Sequence, residues 1–351
     1  MKIDEELSSF YTEEVIIQLT KTLDYWRASL LRLTLRSQTL REIYQWSHLR
    51  HSSALFLQTL IYLPLAFARP DLLLVFGPLI FGYTHLIASF RFTPTHAQRS
   101  FWTLALVTAV CIALHLSQIT LPTLGQLPFG SWQMLCATFA LIIVEPLNWP
   151  RRWLALGVCA LFLRLTWQQP LVSVGGMLLL HNWVAFLTWI KLAPAGKRKQ
   201  AALLSTCLFL VVHLLVLFGF FDTWIPREAH GVNFPGQSQR TAWLMASWSE
   251  DPLVWYRMLV LYVFGLALHY YIWLKAIPES QSPYEHPHSF RMVFTKLKAD
   301  LGLKAFVFTL LLTTLGMSLW LIDRSLGARV YFEVALLHGA VELMFLIKNK
   351  S

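Results

Sequence analysis

The chain has 351 residues, 56% of them hydrophobic and 14% charged, with a mean hydropathy of +0.51. A soluble domain carries roughly 25% charged residues, so the composition excludes an ordinary water-soluble enzyme and predicts an all-α, polytopic integral membrane bundle. The formal charge of +10 is spread in short Lys and Arg runs beside apolar segments, which reads as a topology signal and argues against nucleic acid as a partner.

The opening "MKIDEELSSFYTEE" is acidic and lacks the apolar core and small-residue cleavage site of a secretory signal, so these residues are expected in the mature protein. Residues 1–52 combine apolar positions at helical spacing with many charges, as expected of an amphipathic segment on the cytoplasmic membrane surface. Residues 53–351 form the transmembrane domain in this reading. Apolar runs near the roughly 20 residues needed to cross a bilayer recur at 53–69, 71–90, 101–118, 132–147, 152–168, 171–190, 201–224, 253–275, 304–322 and 329–347. These ten runs predict about ten transmembrane helices. The short fourth and fifth, joined by "EPLNWPRR", could instead form a re-entrant pair.

With an inside N-terminus, ten spans place about 22 basic residues on one side and 5 on the other. By the positive-inside rule both termini are then cytoplasmic, in a bacterial inner membrane. Two longer connections remain: a Trp-containing stretch at 225–252 on the outer side and a Pro-rich basic stretch at 277–300 on the inner side. Cys111, Cys136, Cys159 and Cys207 each stand alone in an apolar run. They are expected to be buried thiols, since no disulfide framework or zinc-ribbon spacing is present.

Ionisable residues inside spans are costly and point to function when they face the bundle interior. Six of twelve histidines fall in predicted spans: His85, His115, His181, His213, His269 and His338. The second, sixth, eighth and tenth spans run in the same direction and end at Arg91, Lys191, Lys275 and Lys348, which serve as depth markers. His85 and His269 each lie six residues before their marker, and His181 and His338 ten. At 1.5 Å per residue the two groups are layers about one helical turn apart. Glu342, six residues before Lys348, joins the first layer, and its i, i+4 spacing places it on the same helix face as His338.

Four histidines and a carboxylate at matched depths suit a metal site, because imidazole and carboxylate together hold first-row transition metals in helical bundles. His85, His181, His269, His338 and Glu342 are the expected ligands, with Glu342 also the expected catalytic group. Asn182 and Tyr270 are expected to orient ligands from behind. His115 belongs near the outer face and His213 lies on a span of opposite direction, so neither joins the set. Each feature also has a plainer reading. An intramembrane histidine often only hydrogen-bonds helix to helix, Asn182 could be a packing amide, and Tyr83, Tyr270 and Tyr271 could belong to an interfacial belt. Arg164 and Arg257 are expected to snorkel, Glu145 to be solvated, and His286 and His288 to be exposed. P-loop, GxGxxG, GxSxG, HExxH and HxxxH patterns are missing, which disfavours nucleotide-driven, hydrolytic and desaturase-type chemistry.

The motifs "GYTHLIAS", "LLLHNWVAF" and "LLHGAVELM" resemble those of the Brp/Blh family of membrane beta-carotene-cleaving oxygenases. The resemblance implies a non-haem iron held by intramembrane histidines, and cleavage of a lipophilic polyene with dioxygen. It maps His85 onto a first-helix ligand, His181 onto a central one, and His338 with Glu342 onto the last helix. Thr84 stands where the family has proline, no His-Phe-Gly motif follows, and "HNWVAF" lacks a second histidine.

The function expected from the sequence is an integral membrane metal-dependent oxidoreductase. It would use non-haem iron, one ion or two, with haem and copper less favoured. Its partners would be membrane lipid, a lipophilic substrate (isoprenoid, carotenoid or fatty-acyl chain) and an electron donor. The alternatives are a transporter or proton-coupled permease using the same His and Glu residues, and a b-type haem protein.

Overall fold

The computed structural model describes residues 14, 17–29, 31–32, 35–82, 85, 148–168, 170–225, 251–282, 287–301, 303–322 and 342. Regular structure among them is entirely helical. In chain order the elements are α1 (helical over 17–29), α2 (Gln38–Gln45), α3 (Ser47–Ala68), α4 (Pro70–Phe76), α5 (Trp149–Gln168), α6 (Pro170–Leu192), α7 (Lys197–Leu217), α8 (Pro252–Tyr271), α9 (Ile277–Ser280), α10 (Phe290–Leu301) and α11 (Leu303–Ile322). Among the described residues, three helical stretches are long and apolar enough to cross a membrane: Ser47–Ala68, Lys197–Leu217 and Leu253–Ser280. The runs predicted at 101–118 and 132–147, with Cys111, His115, Cys136 and Glu145, lie outside the described residues. So do Tyr83, His286, His338 and the run at 329–347 apart from Glu342.

Proline and acidic caps fix the helix starts. Pro70 and Pro252 occupy first-turn positions, where their missing N–H costs nothing. Asp251 caps α8 by accepting the Leu253 N–H at 2.9 Å. At the far end of α7, Gly219 adopts φ +78°, a left-handed conformation open to glycine at little cost, and ends the helix. The span expected over 201–224 is therefore shifted: the helix begins at Lys197 and gives way to a turn and a short 3-10 segment, Asp222–Trp224.

α8 is the centre. Its composition is apolar on every side, the pattern of a helix surrounded by others, and 78% of its span is buried, against 33% and 39% for the α3 and α7 spans. α3, α4, α6 and α7 pack around it. The core holds Leu259, Val260, Phe264 and Ile272 of α8 and its continuation, Phe186 and Trp189 of α6, Phe209 of α7, and Leu55 and Phe67 of α3. The faces turned away are also apolar: Phe56, Leu57, Leu60 and Ile61 on α3, and Leu203, Leu204, Leu210 and Val211 on α7, are exposed. Water would disfavour such continuous patches, whereas lipid would solvate them. Cys159 is buried as expected, but Cys207 is exposed on the outward side of α7, which corrects the expectation of four buried thiols.

Two helices loosen into π geometry. Residues Gly77–Gly82 after α4 and Ile272–Ala276 after α8 are π-helical. Pro78 lies inside the first and Pro278 just beyond the second; a proline ring clashes with the carbonyl four residues before it and removes an N–H, so the local helix widens. Such turns recur at functional sites. Here His85 follows one by three residues and His269 precedes the other by three.

The helices bring one end of the bundle together through polar contacts. The Arg50 guanidinium donates to Glu279 Oε2 from Nε (3.0 Å) and Nη2 (2.6 Å), and Lys275 pairs with the same carboxylate. His51 Nδ1 lies 2.9 Å from the Tyr271 hydroxyl, Trp189 donates to Ser280 Oγ at 2.8 Å, and Arg198 donates to the Ser280 carbonyl at 2.9 Å. Tyr271 is thus tied to α3 and is more than an interfacial aromatic. His288 is buried and bonded to Ser282 Oγ at 2.8 Å, correcting its expected exposure. At the opposite end Arg257 pairs with Asp222, so it is held by a partner and does not simply reach for water. Arg164 is exposed.

The N-terminal segment is broken into pieces: a turn at Leu35–Ser37 separates α1 from α2, and Trp46 alone separates α2 from α3. It is pinned to the bundle. Asp24 Oδ1 and Oδ2 accept the Phe290 and Arg291 N–H groups at 2.8 and 3.3 Å, and Arg27 donates to the His288 carbonyl at 2.7 Å.

Removing one member of a buried ion pair leaves the other uncompensated. Arg50→Ala is expected to destabilise the detergent-solubilised protein by about 3 kcal/mol, and the Arg50→Met/Glu279→Met double variant by less than that; denaturant titration of both checks the ordering. A Cβ on Gly265 would come within 2.6 Å of Asn182 Nδ2, so Gly265→Val is expected to cost roughly 1 to 3 kcal/mol by the same measurement, through overpacking between α6 and α8.

Candidate metal centre

Four elements converge at one point inside the bundle. His85 lies three residues beyond the π turn that follows α4, α6 carries His181, α8 carries His269, and Glu342 comes from the C-terminal part of the chain. One ligand atom from each of these four residues lies within 4.8 Å of every other. His85 Nε2 and His269 Nε2 are 2.9 Å apart. Glu342 Oε1 lies 3.3 Å from the first and 3.5 Å from the second, while Oε2 lies 3.1 Å from His181 Nδ1. The carboxylate therefore spans the group, with one oxygen toward the His85 and His269 pair and the other toward His181.

These separations carry chemical meaning. Metal–ligand bonds of about 2.0 to 2.1 Å to imidazole and carboxylate put neighbouring ligand atoms roughly 3 Å apart. The shortest contacts, 2.9 to 3.5 Å, are close to that edge length. Two Nε2 atoms facing each other at 2.9 Å can share only one proton between them; a cation among them would use both lone pairs. Glu342, His85 and His269 are fully buried or nearly so, whereas 19% of the His181 side chain is exposed. A carboxyl group so deep is either protonated or balanced by a positive charge. Protonated imidazole or a bound cation can supply it, and the mixed nitrogen and oxygen donor set suits iron, zinc, copper or manganese.

The surroundings hold the rings in place. His85 and His269 meet edge to face with centroids 4.6 Å apart, and the His181 ring lies 4.4 Å from that of His269. Tyr270 is buried with its ring 5.4 Å from His85, and Trp273 packs at 6.0 Å from the same ring. Asn182 is buried, and its amide donates to the Tyr262 carbonyl at 3.2 Å. Gly265, one turn along α8, leaves the space this amide fills. Asn182 thus fixes α6 on α8, one residue from His181, and its Oδ1 has no hydrogen-bond partner among the described residues. Tyr270 forms a wall of the site.

Of the five expected ligands the structure brings His85, His181, His269 and Glu342 together; the fifth, His338, lies outside the described residues. His213, set aside on its helix direction, bonds the Phe209 carbonyl of its own helix at 2.8 Å and packs on Trp183. The sequence reading missed His51 and Glu279, which build the polar contacts at the other level of α8. Their signal was present: Lys275 and Glu279 stand i, i+4 at the end of the α8 span, and Arg50 and His51 open α3. Comparison with profiles of protein families, with curated proteins and with solved structures gives no match.

A transition metal bound here should be lost when a ligand is truncated. His269→Ala is expected to lower bound metal in the detergent-purified protein at least tenfold after dialysis against trace metal, with far-UV circular dichroism unchanged; elemental analysis beside the wild type checks it.

Proposed function

We propose that the protein is a ten-span integral membrane oxidoreductase of oxygenase type, which holds non-haem iron through His85, His181, His269 and Glu342 and acts on a lipophilic substrate. The observation that carries this reading is the convergence of three imidazoles and one buried carboxylate in a bundle whose outward faces are apolar. Histidines with a carboxylate and open coordination positions are the donor set of non-haem iron(II) oxygenases. His338, one turn before Glu342 on the same face, would complete a second ligand position, so one ion or two can be accommodated. The bound iron would supply dioxygen activation and Lewis acidity.

The chain's own residues have distinct roles in this proposal. Glu342 contributes the negative charge that favours a divalent ion and is the group nearest to accept or return a proton. The three imidazoles fix the coordination geometry. Tyr270 and Trp273 keep water from the His85 side, and Asn182 sets the position of His181 through the Tyr262 carbonyl. The partial exposure of His181 makes its side the approach for an isoprenoid, carotenoid or fatty-acyl chain from the bilayer. The excess of basic residues at the end of the bundle holding Arg50, Lys191, Arg198 and Lys275 agrees with a cytoplasmic location of that end and of both termini in a bacterial inner membrane. An electron donor would then approach from the cytoplasm.

A second reading, proton-coupled transport, draws on one observation: the His85 and His269 nitrogens at 2.9 Å beside Glu342 form a line of proton-exchanging groups. Haem is disfavoured by the same distance. Axial ligands on opposite faces of a porphyrin iron stand about 4 Å apart with the ring between them, and this pair leaves no such gap.

The test is dioxygen uptake by metal-loaded protein in detergent with a lipophilic polyene, read beside elemental analysis and an optical spectrum. The reading predicts one or two equivalents of iron, no Soret band and polyene-dependent uptake, with Glu342→Gln lowering kcat by about a hundredfold or more. A wild-type protein that stays metal-free after iron reconstitution, yet moves protons when placed in vesicles, would sink it in favour of transport.

A further inference from the structure

We infer that α1 and α2 form a binding surface for anionic phospholipid headgroups, a plate of the bundle's basic end that is charge-selective as well as amphipathic. Position comes first. Only Trp46 separates the last residue of α2, Gln45, from α3, a 22-residue helix of membrane-crossing length and hydropathy, so α2 ends at the level where the bilayer begins. The segment cannot swing away from that level, because Asp24 holds the Phe290 and Arg291 N–H groups and Arg27 holds the His288 carbonyl and the Tyr44 hydroxyl.

Chemistry comes second. Tyr25 and Trp26 are 65% and 62% exposed, and Trp46 is 48% exposed; exposed aromatics at a span end are the residues that settle at headgroup depth. Interleaved with them, Lys21, Arg32, Arg36 and Arg41 are exposed, and Lys197 and Lys199 at the start of α7 extend the patch at the same end of the bundle. Across residues 17–45, the stretch that forms α1 and α2, five basic residues stand against two acidic ones, Asp24 and Glu42. An apolar anchor alone would not need this excess. Basic side chains close to an anionic leaflet gain attraction that a zwitterionic leaflet does not offer, about fivefold in binding for each. The inference depends on the membrane placement of α3 and not on the chemistry at the histidine cluster.

The experiment places the full chain in lipid nanodiscs of pure phosphatidylcholine and in discs containing phosphatidylglycerol, and reads amide hydrogen exchange over residues 17–45 by mass spectrometry. Peptides of α8 serve as the internal standard of folding. The inference predicts exchange slowed at least fivefold in the anionic discs, with the protection lost when salt is raised to about 1 M, where the screening length falls to roughly 3 Å. It also predicts the loss of that protection in the Arg32→Gln/Arg36→Gln/Arg41→Gln variant while α8 stays protected. Equal exchange in the two discs overturns it. So does protection produced in phosphatidylcholine discs by inorganic phosphate alone, which would make the patch a free-phosphate site.

Discussion

The centre of this molecule depends on a buried carboxylate. Glu342 has no contact with solvent, and three imidazoles stand within 3.1 to 3.5 Å of its oxygens. An isolated charge in such a place would be strongly disfavoured, so the carboxyl is either protonated or shares a proton or a cation with the three imidazoles around it. This requirement binds four separate parts of the chain to one point, and it is the reason that a metal ion fits the geometry so naturally.

α8 turns that requirement into structure. It lies in the middle of the described helices, with aromatic and aliphatic residues on every side, so its position is fixed by packing before any ligand is considered. Along it stand two polar levels. One is the His269 level, where His85, His181 and Glu342 gather into a group that could hold a metal ion. The other, near Glu279, is where Arg50, Lys275 and His51 gather around a second carboxylate. The π turn over Ile272–Ala276 lies between them. A widened helix re-aims the residues that follow it, which allows one helix to present His269 to α4 and α6 and Glu279 to α3.

The two carboxylates are handled differently, and the contrast separates structure from chemistry. Glu279 is matched by guanidinium and ammonium groups, permanent charges that close an electrostatic latch between α3 and α8. Glu342 is matched by imidazoles, side chains whose ring nitrogens can hold either a proton or a metal ion. A latch gains from permanent charge. A metal-binding group gains from side chains that can give up a proton to a cation.

The sequence by itself determined the helical class and the positions of α5, α6, α8 and α11 to within a few residues, while α3 begins six residues before the apolar run that marks it. Class and positions follow from hydrophobic runs and a fixed rise per residue, which are local properties. The depth argument placed Glu342 with His85 and His269 and set His181 a turn away; in the structure Oε1 faces the first pair and Oε2 faces His181. Only the tertiary structure decided that these helices are neighbours, because helix order around α8 is set by side-chain packing between segments far apart in the chain. Asn182 shows the limit clearly. Its place beside His181 suggested a ligand-orienting amide, yet the hydrogen bond it makes to the Tyr262 carbonyl depends on a gap left by Gly265 on another helix. His51 shows the same from the other direction: the charged residues at the start of α3 and around Glu279 are visible in the sequence, but which of them pair, 228 positions apart by number, is decided by the packing of α3 beside α8 and α9.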